Sequence, residues 1–136
     1  MGEQRPANVV LDRQYDGTTA TLRSARSDMV GCLSDSGIGD DLRDRAELVL
    51  SELASNAVQA APGSPYTLRL SLDHGDVVLR VTSHTVNGGP PSRENWGPSS
   101  LLAPTGRGLM IVDELADEVE VDRQAGGTIV VTAVLH

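Results

Sequence analysis

Two short segments carry residues whose types and spacing can do chemistry. In ELVLSELASNAVQAA, Glu52 and Asn56 stand four residues apart. On a helix they lie one above the other, with roughly 6 Å between their Cβ atoms. The carboxylate can accept a proton or orient a nucleophile. The carboxamide oxygen can ligate a hard cation such as Mg²⁺. Two polar residues on a solvated helix flank would carry the same spacing. The second segment is TGRGLMIVDELAD, where Gly106 and Gly108 flank Arg107 at the head of an apolar-periodic run. Small residues let a ligand approach the backbone, and a helix start presents unpaired N–H groups at its positive end. Such a place suits phosphate, and Arg107 can add charge. A helix that merely begins after a Gly-rich loop would read the same way.

These residues need elements to hold them. Residues 8–14 read as a first strand. A helix follows from Thr18 or Thr19, either of which can cap it, to about Leu33, with Leu22, Ala25, Met29 and Cys32/Leu33 at helical spacing. SDSGIGDD interrupts it. Asp40 or Asp41 then caps a longer helix over about 42–61, whose apolar stripe is Leu42, Ala46, Val49, Leu50, Leu53 and Ala57. Strands over 67–72 and 77–82 form a hairpin around His74-Gly75. Residues 84–106 have no helical or strand period, and so long a stretch inside a small domain is generally functional. A third helix runs from about Arg107 to Asp117, with Leu109, Val112 and Ala116 inward. Two closing strands, 118–122 and 128–135, are joined by a turn containing Gly126-Gly127. This order lacks strict strand–helix–strand alternation. It predicts an α+β, two-layer α/β sandwich: a mixed, mostly antiparallel sheet with three helices on one face.

Composition narrows the chemistry. The 136 residues carry a net charge of −8, and all eleven basic residues are Arg. Without Lys there is no P-loop lysine and no Schiff base. The acidic balance argues against direct nucleic-acid or anionic-membrane binding. The single Cys32 excludes an internal disulfide and fits a reducing cytoplasm; it reads as a small hydrophobe on the first helix. No apolar run approaches a membrane span, and the first residues show no secretory signal. One domain over 1–136 is expected, with 1–7 as a tail.

Taken in order, the ELVLSELASNA helix, the hairpin, the Gly/Pro-rich segment, GRGLMIVDELAD and the final GTIVV strand resemble the GHKL (Bergerat-fold) ATP-binding domain. Within it the chain looks most like the anti-sigma-factor serine kinases of the RsbW and SpoIIAB type, over about residues 8 to 135. The resemblance implies ATP and Mg²⁺ as ligands. It implies Asn56 as the Mg²⁺-coordinating residue and Glu52 as the general base toward an acceptor serine. It places an ATP lid at about 84–107, backbone contacts to phosphate at Gly106 and Gly108 with Arg107 and Leu109 beside them, and Thr128 near the adenine. It further implies a sigma factor or an anti-sigma antagonist as partner, with a homodimer possible. Phosphoryl transfer needs mainly positioning and charge neutralisation, which this set supplies without Lys.

One position departs from the family. A carboxylate expected after the second hairpin strand, facing the adenine amino group, falls on Ser83, or next to it on His84. No carboxylate stands between Asp76 and Glu94. A hydrogen bond to a charged group contributes about 1.5–3 kcal/mol, so its loss weakens nucleotide binding roughly 10- to 150-fold. A non-catalytic binding module on the same fold is therefore the alternative, and a detached sensor-kinase catalytic domain ranks below it. Trp96, the only Trp, can cover a base or simply anchor its loop. The acidic run Asp113, Glu114, Asp117, Glu118, Glu120 and Asp122 reads as a solvated face or as a dock for a basic partner.

Overall fold

Strand alternation builds the sheet. The computed structural model describes residues 8–84 and 106–136, the side chains of 106–109 excepted. Five strands appear: β1 (Asn8–Tyr15), β2 (Tyr66–Asp73), β3 (Asp76–His84), β4 (Glu118–Arg123) and β5 (Thr128–Leu135). They pair in the order β1-β2-β3-β5-β4. Every pairing is antiparallel, so the sheet is not mixed as expected. The reason lies in the connections: β2 joins β3, and β4 joins β5, by turns too short for a parallel crossover. Leu68 and Leu70 of β2, Val77, Leu79 and Val81 of β3, and Ile129, Val131, Ala133 and Leu135 of β5 are all buried. Period-two alternation puts them on one face.

The helices α1 (Ala20–Asp35), α2 (Asp40–Ala60) and α3 (Gly106–Leu115) cover that face. α2 is the central one, packing on β2, β3 and β5 and flanked by α1 and α3. Its buried residues Ala46, Val49, Leu50, Leu53, Ala54, Ala57 and Val58 repeat at three- and four-residue steps, which gives one apolar stripe. Gly39 rather than Asp40 or Asp41 stands at its N-cap. The two aspartates occupy the first turn, where the helix dipole favours them. α1 buries Ala25, Met29 and Leu33 as its spacing requires. The two-layer α/β sandwich is therefore observed. Its helix and strand ends differ from the expected ones by one or two residues, which is where end fraying places them. Among the described residues no helix is long and apolar enough to cross a membrane.

Two fastenings hold the helices in place. Gly17, between β1 and α1, lies against the α2–β2 turn. Its carbonyl accepts from the Gly63 N–H at 2.8 Å, and a Cβ on it would stand 2.1 Å from the Ser64 carbonyl oxygen. At the far end of α2, Arg45 donates to the Leu115 carbonyl at 3.1 Å and to the His136 carbonyl at 2.8 Å. Arg45 thus ties the C-terminal end of α3 and the last residue of β5's extension to the start of α2. The His136 N–H in turn donates to Asp117 at 2.7 Å.

Candidate functional site

The topology brings four element ends to one edge of the sandwich. α2 ends at Ala60, and β2 starts nearby at Tyr66. Thr67 pairs with Thr82, so the end of β3 lies at that same edge; Ser83 pairs with Ile129, at the start of β5. α3 ends at the opposite edge, where Arg45 holds it, so it runs antiparallel to α2. Nine residues at 1.5 Å separate Leu115 from Gly106, about 13.5 Å. Counting nine residues along α2 from Arg45 puts the head of α3 level with Ala54, within a turn of Glu52 and Asn56.

Glu52 and Asn56 both stand half-buried on α2. The Asn56 carboxamide nitrogen is fully buried and has no hydrogen-bond partner among the described residues. An unpartnered buried amide costs about 1–3 kcal/mol, which a ligand can relieve. Glu52 makes no hydrogen bond or ion pair among the described residues, so its carboxylate is uncommitted. Asn56 lines a narrow cleft between α2 and the sheet. Leu53, Ala57 and Ala60 form its helix wall, and Val81, Ser83, Ile129 and Val131 its sheet wall. Ser83 is 8% exposed, the fourth inward residue of β3 after Val77, Leu79 and Val81. It makes no side-chain hydrogen bond among the described residues. The cleft is thus an apolar slot with two open polar groups, Asn56 and Ser83.

Thr128 does not join them. In β5 the residues Ile129, Val131, Ala133 and Leu135 point to the helices. Thr128 falls on the other face, where its hydroxyl meets His84 Nδ1 at 3.0 Å. Ile129 takes the cleft position instead, one residue along from Thr128 on the alternating strand. The alternation of TIVVTAVL was legible and would have made this choice. His84, the other candidate for the carboxylate position, faces away with Thr128. The small side chains Ala57 and Ala60, which form part of the helix wall of this cleft of about 20 Å³, were not singled out from the sequence.

Gly106, Arg107, Gly108 and Leu109 form the first turn of α3. The side chains of Arg107 and Leu109 lie outside the described residues, as do 85–105, on which the expected lid and Trp96 fall. The ends of that expected lid are structured: His84 closes β3, and Gly106 and Arg107 open α3. Among the described residues no three His, Cys, Asp or Glu side chains cluster as a metal cage. A Mg²⁺ carried on nucleotide phosphates needs only one or two protein oxygens, and the Asn56 carboxamide oxygen could supply one; its unpartnered nitrogen is a donor and suits an acceptor atom of the ligand rather than the cation.

The opposite face of the sheet is broader and more polar. Asp12, Arg69, Arg80, Glu120, Asp122 and Thr132 line an open trough there. Several of its groups are satisfied internally: Arg69 pairs with Asp12 at 3.0 Å, Arg80 donates to Thr132 at 3.3 Å, and Gln124 donates to Asp122 at 3.2 Å. At the base of α1, Tyr15 donates to Asp28 at 2.7 Å and stacks on Tyr66 with centroids 5.6 Å apart. Burial, then the hydrogen bond to Asp28, holds the Tyr15 phenol well above the ordinary tyrosine range. Burial likewise pushes the Cys32 thiol up, with Asp35 and Asp28 adding to the effect, and a thiol so held is poorly reactive.

Comparison with known proteins agrees with this layout. Residues 16–133 match the histidine kinase-like ATPase domain family. Among solved structures, the chain is similar to the RsbU and RsbW domains of Rv1364c from Mycobacterium tuberculosis, with a TM-score of 0.63 at 18% identity. That match covers 93% of this chain and 32% of the other, so the present chain spans about a third of its length. No curated relative matches significantly. The family match covers most of the chain: the chain belongs to the histidine kinase-like ATPase domain family.

Proposed function

We propose that this chain binds Mg-ATP in the cleft between α2 and the sheet, and passes the γ-phosphoryl group to a serine of a small antagonist protein. By doing so it governs a sigma factor. The observation that carries the reading is the buried Asn56 amide nitrogen, unpartnered among the described residues, in an otherwise apolar slot that also holds Ser83. In this account the slot, about 20 Å³ in this structure, opens to admit the base between Ala57, Ala60 and Ile129. The Asn56 carboxamide oxygen would hold the cation, and the backbone N–H groups of Gly106 and Gly108 would meet the phosphates, with Arg107 adding charge. The cation supplies neutralisation of the phosphate oxygens. Glu52 accepts the proton as the serine oxygen bonds to the γ-phosphorus and the bond from phosphorus to the β–γ bridging oxygen breaks. The RsbW domain named in the similar structure supports a partner of the sigma or antagonist class. Glu118, Glu120 and Asp122, exposed on β4, suit a basic partner surface.

The test is phosphotransfer to a serine-bearing antagonist captured with the chain. Glu52→Gln is expected to bind Mg-ATP within about threefold of wild type and to lose 10²–10⁴ in transfer rate. A second reading is favoured by the Ser83 position, where the family carries a carboxylate: a protein-binding module that does not transfer phosphate. Tight partner binding with no transfer by the wild type would select it.

A further inference from the structure

The open face of the sheet, turned away from the helices, carries charge in one row. Asp12 lies beside Arg69, Arg69 beside Arg80, Arg80 beside Thr132 and Thr132 beside Glu120. The row crosses all five strands and lines a trough of about 500 Å³. Like charges directly opposite on neighbouring strands are unfavourable. Arg69 is offset by Asp12 at 3.0 Å. Arg80 is not: among the described residues its guanidinium has only the Thr132 hydroxyl. Glu120 is exposed and has no ion pair or side-chain hydrogen bond among the described residues. One cation and one anion are thus left over in the row, with Thr132 between them. The rows on either side are low and β-branched: Val78 beside Val134, and Thr82 beside Val130, all half-buried.

An occupant that suits this face brings an anion to Arg80, a cation to Glu120 and low apolar area between them. A ligand of one charge sign satisfies only half of the row. A second copy of the chain satisfies all of it. Turned about a twofold axis running along the strands between β3 and β5, the second copy keeps each cross-strand row in register and reverses the strand order. Its β5 then lies over β3, and its β4 over β2. Glu120 of the second copy comes between Arg69 and Arg80, while Val134 and Val130 of the second copy come over Val78 and Thr82. Sheets pack face to face in this aligned manner about 10 Å apart, a gap that Arg and Glu side chains span together. The twofold makes every such contact occur twice. We infer that the open sheet face is a self-association surface, joining two copies into a helix–sheet–sheet–helix dimer. Four overlapping strands at about 4.8 Å, each about seven residues at 3.4 Å, cover roughly 450 Å² of sheet per copy. That is a small interface, so the dimer is reversible. It does not depend on the nucleotide reading, and the basic surface that suits Glu120 is supplied by the second copy.

Sedimentation velocity of the full chain, without nucleotide, tests the pairing. At about 0.15 M salt the Debye length of about 8 Å screens the overall repulsion between two copies of charge −8 and spares charges in contact. Wild type is expected to pass from monomer to dimer between about 5 and 500 μM, the range of a small interface. Glu120→Arg sets an arginine against two others, and Arg80→Glu sets a carboxylate against Glu120. Both positions are exposed, so both variants keep the fold. Each alone is expected to associate at least tenfold more weakly than wild type. Mixed in equal amounts, the two variants meet with opposite charges at both contacts, and association is expected to return to within about fivefold of wild type. A wild type that stays monomeric at about 500 μM would overturn the inference. So would a single variant that associates like wild type, or two folded variants that remain apart on mixing.

Discussion

At the residue scale, the proposed site rests first on Asn56. Its buried amide nitrogen has no partner among the described residues, so replacing it with an apolar group of similar shape should relieve a desolvation cost. Asn56→Leu is expected to raise the stability of the ligand-free protein by about 1 kcal/mol in urea denaturation. A loss of stability would mean that Asn56 is a structural polar group. Tyr15 gives a prediction of another kind. Its folded-state pKa is raised, by burial and by Asp28. The stability it contributes is complete below the unfolded tyrosine value of about 10, and drains away as pH rises beyond it toward the folded value. Unfolding free energy should therefore fall between pH 9 and pH 11, and less steeply in Tyr15→Phe. The Glu52–Asn56 pair could be read from spacing alone. The side of β5 that faces the cleft could also be read, but a family analogy to Thr128 displaced the simpler evidence of alternation. Ala57 and Ala60 gave no signal, because a small residue in a helix reads as packing until its neighbours across the slot are known.

At the element scale, the site depends on α2 being held at both ends. Gly17→Ala places a methyl 2.1 Å from the Ser64 carbonyl oxygen, and backbone must move to admit it. A cost of about 2 kcal/mol or more is expected, read as a lowered denaturation midpoint. Arg45 acts at the other end, through two carbonyls on different elements. Arg45→Met keeps the aliphatic stem and removes both bonds. It is expected to destabilise by about 1.5–3 kcal/mol, and hydrogen exchange should quicken first in α3. Sequence periodicity located all three helices and all five strands, because each has a buried face with its own period. It could not supply these fastenings, since Arg45 and Leu115 are seventy residues apart and nothing local links them. Nor could it decide that every strand pairing is antiparallel, which depends on the order in which strands enter the sheet.

At the scale of the whole molecule, a chain of 136 residues with a net charge of −8 and no Lys leaves the proposed site to backbone N–H groups, a carboxamide and a carboxylate that has no partner among the described residues. The family assignment rests on residues 16–133. α2, β3 and β5 each contribute two or more residues to the cleft, and the rest of the core positions them. The central claim is that Asn56 and its cleft hold a magnesium-bound nucleotide, and a thermal-shift or calorimetric titration with Mg-ATP tests it most directly. Wild type should be stabilised by about 2.7 kcal/mol at a hundredfold excess over the dissociation constant. Asn56→Ala, though folded, should show no shift. A wild type that neither binds nor is stabilised at millimolar Mg-ATP, or an Asn56→Ala variant that binds as tightly as wild type, would contradict the account.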